Sequence, residues 1–202
     1  MMISTEPYTR LNYVIDSAWK ILFERIISGK LLINKESSLQ LHFSKLIFEL
    51  GTIYCILPNE IFEIEMETKY ENKSIDIVCS LGDFKAAIEL KCFMTASNRA
   101  KDLDCYDALI DIERLQGYSG FQIRKFICLT DNKYYSEKEQ TGHGKTVSLK
   151  NGTIYSANKK IVPGWADKWK VKRDKPIVFN TDIICNWISK TNWHYLKIDL
   201  DQ

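Results

Sequence analysis

The stretch Lys73–Phe93, KSIDIVCSLGDFKAAIELKCF, holds the residues whose types and spacing could do chemistry. With Gly82-Asp83 as a two-residue turn, Gly in the first central position suits a type II′ geometry. Leu81 then faces Phe84, and counting back along both strands Asp76 faces Glu89 and Ser74 faces Lys91. Side chains alternate between faces of a strand. Ser74, Asp76, Glu89 and Lys91 therefore share one face, together with Val78 and Ala87. Ile75, Ile77, Cys79, Ala86, Ile88, Leu90 and Cys92 form an apolar face that must pack on a core. Facing carboxylates, with Cβ atoms about 4.5–5.5 Å apart, repel each other. Lys91 offsets part of that repulsion, and a divalent cation held between the acids would offset more. Mg²⁺ takes one or two carboxylates with waters and phosphate oxygens. Such an ion polarises a phosphoryl oxygen and activates a water, while an ammonium two residues along the same face can orient the water and stabilise charge on the phosphate. The bland alternative is a salt-bridged cluster on a half-exposed hairpin, as Glu63, Glu65 and Glu67 suggest one strand earlier.

The elements that must position this hairpin follow from periodicity. Apolar residues at helical spacing predict a helix over Thr9–Ile27, stopped by Gly29, and a second over Ser37–Leu50, ended by Gly51. Strands are predicted over Thr52–Leu57 and Ile61–Tyr70, the latter with the period of a half-exposed strand. After the hairpin come a helix over Ala100–Gln116 and a short buried strand, Phe126–Thr130. The end reads as a strand (Ile177–Phe179), a short helix (Asp182–Ser189) and a strand (Tyr195–Ile198). Strands alternating with helices argue for a layered α/β domain with a mixed sheet.

The chain has 202 residues, 45% hydrophobic and 27% charged. That is ordinary globular composition and excludes wholesale disorder, collagen and coiled coil. The length suits a single domain, with a core over about 30–130 and 176–202 and a basic, aromatic insertion over 131–175. The net charge of +2 excludes a uniformly basic nucleic-acid coat. No apolar run is long enough to span a bilayer, and the N-terminus lacks the pattern of a secretory signal. Six cysteines without a CxxC pair predict buried thiols in a cytoplasmic protein. His42, His143 and His194 are scattered and predict no metal or catalytic site.

The pattern Asp76, then Glu89-Leu90-Lys91 within AIELK, resembles the PD-(D/E)xK nuclease superfamily, although Ile75 stands where that motif has proline. The resemblance covers residues 36–130, from the helix KESSLQLHFSKLIFELG through YDALIDIERL to FICLT. It implies an αβα layered, restriction-endonuclease-like core with a mixed central sheet. It also implies Mg²⁺-dependent hydrolysis of DNA phosphodiester bonds, with Mn²⁺ as a substitute. Asp76, Glu89 and the Leu90 carbonyl would bind metal, and Lys91 would assist the water. Glu36 is the best match for an additional acid from the preceding helix, with Gln40 one turn on. Glu49 and Glu67 are weaker candidates. The implied settings are restriction, phage defence or repair.

Residues 140–175 carry nine basic and two acidic side chains, a local net of +7, with Tyr155, Trp165 and Trp169 interleaved. Basic groups among aromatics suit phosphate contacts and base stacking. Lys168, Trp169, Lys170, Lys172 and Arg173, with Gln40, are the expected nucleic-acid contacts. The ligand is expected to be DNA, with RNA left open, and a symmetric homodimer would suit double-strand cleavage. Gly142–Thr146 is not a P-loop, because Glu139 stands where its first glycine belongs. Asp104, Asp107 and Asp111 read as the solvated face of their helix, and Trp187, Trp193 and Tyr195 as core or interface. The competing expectation is a non-catalytic nucleic-acid-binding or assembly protein on the same fold.

Overall fold

A computed structural model describes residues 4–97, 100–138, 141–165 and 173–200. The first helix, α1 (Pro7–Ile27), opens on Pro7, whose fixed φ suits a first helical turn. It is followed by Gly29 at φ 69°, a left-handed conformation that glycine adopts without a Cβ penalty. Helix α2 (Glu36–Ile53) is longer than the sequence predicts at both ends. Gly51 lies inside it and is buried. A Cβ at Gly51 would come within 2.5 Å of the Phe62 ring, so this glycine permits close packing and does not end the helix. The strand expected over Thr52–Leu57 does not form, because Thr52 and Ile53 continue α2 and the rest is loop.

Three antiparallel strands follow: β1 (Phe62–Tyr70), β2 (Lys73–Leu81) and β3 (Phe84–Phe93). Gly82 takes φ 59° at the β2–β3 turn, while Asp83 is not among the residues of positive φ. That combination fits the type II′ turn. Next come α3 (Lys101–Gln116), the wholly buried β4 (Ile123–Thr130), a short α4 (Tyr134–Glu137) and a 3₁₀ turn over Gly142–Thr146. Two-residue strands β5 (Ile154–Tyr155), β6 (Lys160–Ile161), β7 (Ile177–Val178) and β8 (Ile183–Ile184) form two small ladders, β5 with β8 and β6 with β7. Strands β9 (Trp187–Lys190) and β10 (Trp193–Asp199) form a hairpin. The expected helix over Asp182–Ser189 is thus replaced by strands. Its β-branched run, Ile183, Ile184 and Ile188, favours that outcome.

The architecture is mixed α/β. Its main sheet is mixed and six-stranded, in the order β1-β2-β3-β4-β10-β9. Helix α3 links β3 to its sheet neighbour β4, a connection of the crossover kind.

The chain divides into two compact units. One comprises Met1–Leu90, Tyr118–Lys125 and Asp199–Gln202, the other Lys91–Gly117 and Phe126–Ile198. In the first unit, Leu11, Val14, Ile15, Ala18 and Leu22 of α1 and Leu39, Phe43 and Ile47 of α2 are fully buried. Trp19 meets Phe43 edge-on at 5.5 Å between centroids. Ile75, Ile77, Cys79, Ala86, Ile88 and Leu90 of the hairpin are buried too, as the apolar-face reading expects. Burial pushes the Cys79 thiol up to about 12. Lys125, 1% exposed, is ion-paired with Asp199 at 2.7 Å and Asp16 at 3.2 Å.

In the second unit, Val147, Leu149, Tyr155 and Trp165 are buried core residues. Much of the segment expected to be a basic insertion is therefore built into a core. The cysteines are all free thiols, four of them buried. No described helix is long and apolar enough to cross a membrane.

Candidate active site

The register expected for the hairpin holds from Leu81–Phe84 to Ile77–Ile88. Asp76 and Glu89 lie one step beyond the last ladder pair. There the ladder gives way to a side-chain contact: the Leu90 N–H donates to Asp76 Oδ2 at 2.6 Å. Asp76 thus holds the backbone of the motif's middle residue. Glu89 is 1% exposed, deeper than the half-exposed face the sequence suggests. A buried charge needs a partner, and the Tyr118 hydroxyl donates to Glu89 Oε1 at 2.8 Å. Tyr118 packs against Tyr70 at 4.7 Å and Phe121 at 6.2 Å between ring centroids.

On the other side of Asp76, the Gln40 amide donates to the Asp76 backbone carbonyl at 2.7 Å and to Glu67 Oε1 at 2.9 Å. Gln40 therefore ties α2 to β2, and its amide is directed at the protein. Glu67 takes φ 55° in mid-strand. A non-glycine residue there stores strain of order 1–3 kcal/mol. Its ladder neighbours pair as Met66–Ile77 and Thr68–Ile75, so Glu67 stands beside Asp76 while dropping out of the ladder. Alternation in sequence marked Glu67 as one of three like glutamates, and nothing in that pattern signals its backbone. Glu36 begins α2 and lies one helical turn before Gln40, on the same face.

The division between the units falls between Leu90 and Lys91. Within the second unit, Lys91 Nζ is 2.5 Å from Asp111 Oδ2, and Arg114 lies 3.1 Å from the other Asp111 oxygen. Asp104 receives the Tyr135 hydroxyl at 2.7 Å, and Asp107 is bidentate with Arg173 at 2.6 and 2.8 Å. These three aspartates are not the solvated face expected of them. They are the inward, paired side of α3, because each has a polar partner supplied from a distant part of the chain.

Arg173, expected to contact nucleic acid, is paired with Asp107, and its carbonyl accepts the Trp165 indole N–H at 2.7 Å. Trp165 is fully buried against Tyr106, 5.9 Å between centroids, and Tyr155 is buried as well. Neither offers a face for base stacking. Lys168, Trp169, Lys170 and Lys172 lie outside the described residues.

Among the described residues, no group of three or more His, Cys, Asp or Glu could hold a metal ion. The donors at the hairpin are two carboxylates and a carbonyl. Such hard oxygen donors fit Mg²⁺, which completes its shell with water and phosphate oxygens. No family model, curated protein or solved structure matches the chain.

Proposed function

We propose that the chain is a metal-dependent endonuclease with a restriction-endonuclease-like αβα core, hydrolysing DNA phosphodiester bonds in a cytoplasmic setting of restriction, phage defence or repair. The hairpin register carries the reading. It runs through Ile77–Ile88, so that Asp76 and Glu89 fall at its next step, and Asp76 accepts the Leu90 N–H. The order of helix, hairpin, helix and buried strand supports it further.

Asp76, Glu89 and the Leu90 carbonyl are the groups that would hold Mg²⁺ or Mn²⁺, with Glu36 as an additional acid. A bound ion would polarise a phosphoryl oxygen and lower the pKa of a coordinated water. Tyr118 fixes the Glu89 carboxylate, and Gln40 fixes the backbone carrying Asp76. Lys91, oriented by Asp111, would donate to a phosphate oxygen. Arg173 and the neighbouring Lys168, Trp169, Lys170 and Lys172 would contact the nucleic acid, DNA or RNA. A homodimer would serve cleavage of both strands.

A second reading is a non-catalytic nucleic-acid-binding or assembly domain. The Lys91–Asp111 pair favours it, since that contact uses the ammonium in holding the fold. A cleavage panel of single- and double-stranded DNA and RNA, with and without Mg²⁺ or Mn²⁺, separates the two. The nuclease reading expects metal-dependent cleavage that disappears in Asp76→Ala. Binding without cleavage of any form would establish the second.

A further inference from the structure

We infer that the tip of the β1–β2 hairpin is a binding site for a phosphodiester strand, an inference that takes its ligand class from the nuclease reading. A cleft there is lined by Lys69, Glu71, Asn72, Lys73 and Ser74. Lys69 faces Ser74 and Tyr70 faces Lys73 across the ladder. The lining offers two ammoniums, an amide and a hydroxyl as donors, against the one carboxylate of Glu71. Lys69 and Lys73 are exposed and make no ion pair among the described residues. Lys91, Lys125 and Lys175 are by contrast each paired with an acid. Unpaired ammoniums flanking the tip cleft, Lys69 from the Ser74 face and Lys73 from the other, are available to phosphate oxygens.

The tip is anchored. The Tyr70 hydroxyl lies 2.9 Å from Ser119 Oγ and accepts the Ser119 N–H at 3.1 Å. Its ring packs on Tyr118 and Phe121, and Tyr118 holds Glu89. The cleft therefore keeps a fixed offset from the proposed catalytic acids. Ser74 and Lys73 precede Asp76 by about 7 and 10 Å of extended strand. A strand with one phosphate at Asp76 would then bring a neighbouring phosphate toward the cleft.

Fluorescence anisotropy of labelled single-stranded and duplex DNA, in EDTA and across a salt series, tests the site in the full chain. The Lys69→Ala/Lys73→Ala variant is compared with wild type and with Lys20→Ala/Lys30→Ala on the same unit. Circular dichroism melting confirms folding of each. Loss of two phosphate contacts should flatten the plot of log affinity against log salt by about 1.4 for single strands or about 1.8 for duplex, with the control unchanged. Wild-type slope in the tip variant, equal flattening in the control, or no DNA binding by wild type overturns the site. A separate Mg²⁺ cleavage assay scores the nuclease reading. Flattening without cleavage keeps the site and removes that reading, and cleavage with an unchanged slope removes the site alone.

Discussion

The Tyr118 hydroxyl donates to Glu89 Oε1 at 2.8 Å, with both residues almost fully buried. Hydrogen bonds to charged groups are worth about 1.5–3 kcal/mol, and a buried carboxylate that loses one such donor bears a cost of that order. Tyr118→Phe should therefore destabilise the fold by about 2 kcal/mol in urea denaturation. A double-mutant cycle with Glu89→Gln should give a coupling of about 0.5–3 kcal/mol. Additive effects of the two substitutions would show that the contact contributes nothing.

Acid should destabilise the fold through Glu60. The Arg10 guanidinium, 2.7 Å away, holds the Glu60 carboxyl well below the usual range, at about 2, against the opposing effect of burial. A depressed carboxylate stabilises the fold fully above its unfolded value of about 4.3, and that stabilisation is lost as pH falls toward 2. Glu60→Gln should remove this part of the pH dependence. Parallel urea midpoints for wild type and variant from pH 7 to pH 3 would contradict it.

A second acid window should come from His194. Its ring is 2% exposed, Nδ1 lies 2.6 Å from Ser189 Oγ, and buried Nε2 has no hydrogen-bond partner among the described residues. Burial lowers its pKa, opposed by Glu137 and Asp131 and assisted by Lys133. The neutral ring is favoured in the fold, so its contribution is present above about 6.5 and lost as pH falls below. An NMR titration of the His194 ring should give a midpoint below 6.5, and one above it would refute the assignment.

Gly51→Ala should destabilise the first unit. The added Cβ would meet the Phe62 ring at 2.5 Å, and overpacking costs about 1–3 kcal/mol. Alanine's better helix propensity returns up to about 1 kcal/mol. A lower Tm for Gly51→Ala, partly restored by adding Phe62→Leu, is the expected result. A raised Tm would show that the ring moves aside freely.

Where one signal dominated, the sequence was readable. The turn at Gly82-Asp83 and the alternation of Ile75, Ile77 and Cys79 with polar neighbours set the hairpin register, because a one-residue slip would have exposed that whole apolar face. The apolar spacing in α1 and α3 placed both helices to within about two residues of their observed ends. Gly51 misled because a glycine that ends a helix and one that admits a neighbouring ring look alike in sequence. The Asp104, Asp107 and Asp111 series misled because charge at helical spacing reads as solvated, while the partners Tyr135, Arg173 and Lys91 lie far away in the chain. The same distance hid Tyr118 from the site. Nothing near Glu89 in sequence announces a phenol that will reach it from beyond α3.

The Asp76–Glu89–Lys91 hairpin is proposed to hydrolyse phosphodiester bonds with a divalent metal. The direct measurement is the initial cleavage rate of DNA in Mg²⁺ by wild type and by Lys91→Met, which keeps the aliphatic stem and leaves Asp111 paired with Arg114 at 3.1 Å. Wild type should show metal-dependent cleavage, and the folded variant a loss of about 100-fold or more, the scale of removing one charge-stabilising group. Cleavage by Lys91→Met at the wild-type rate would contradict it.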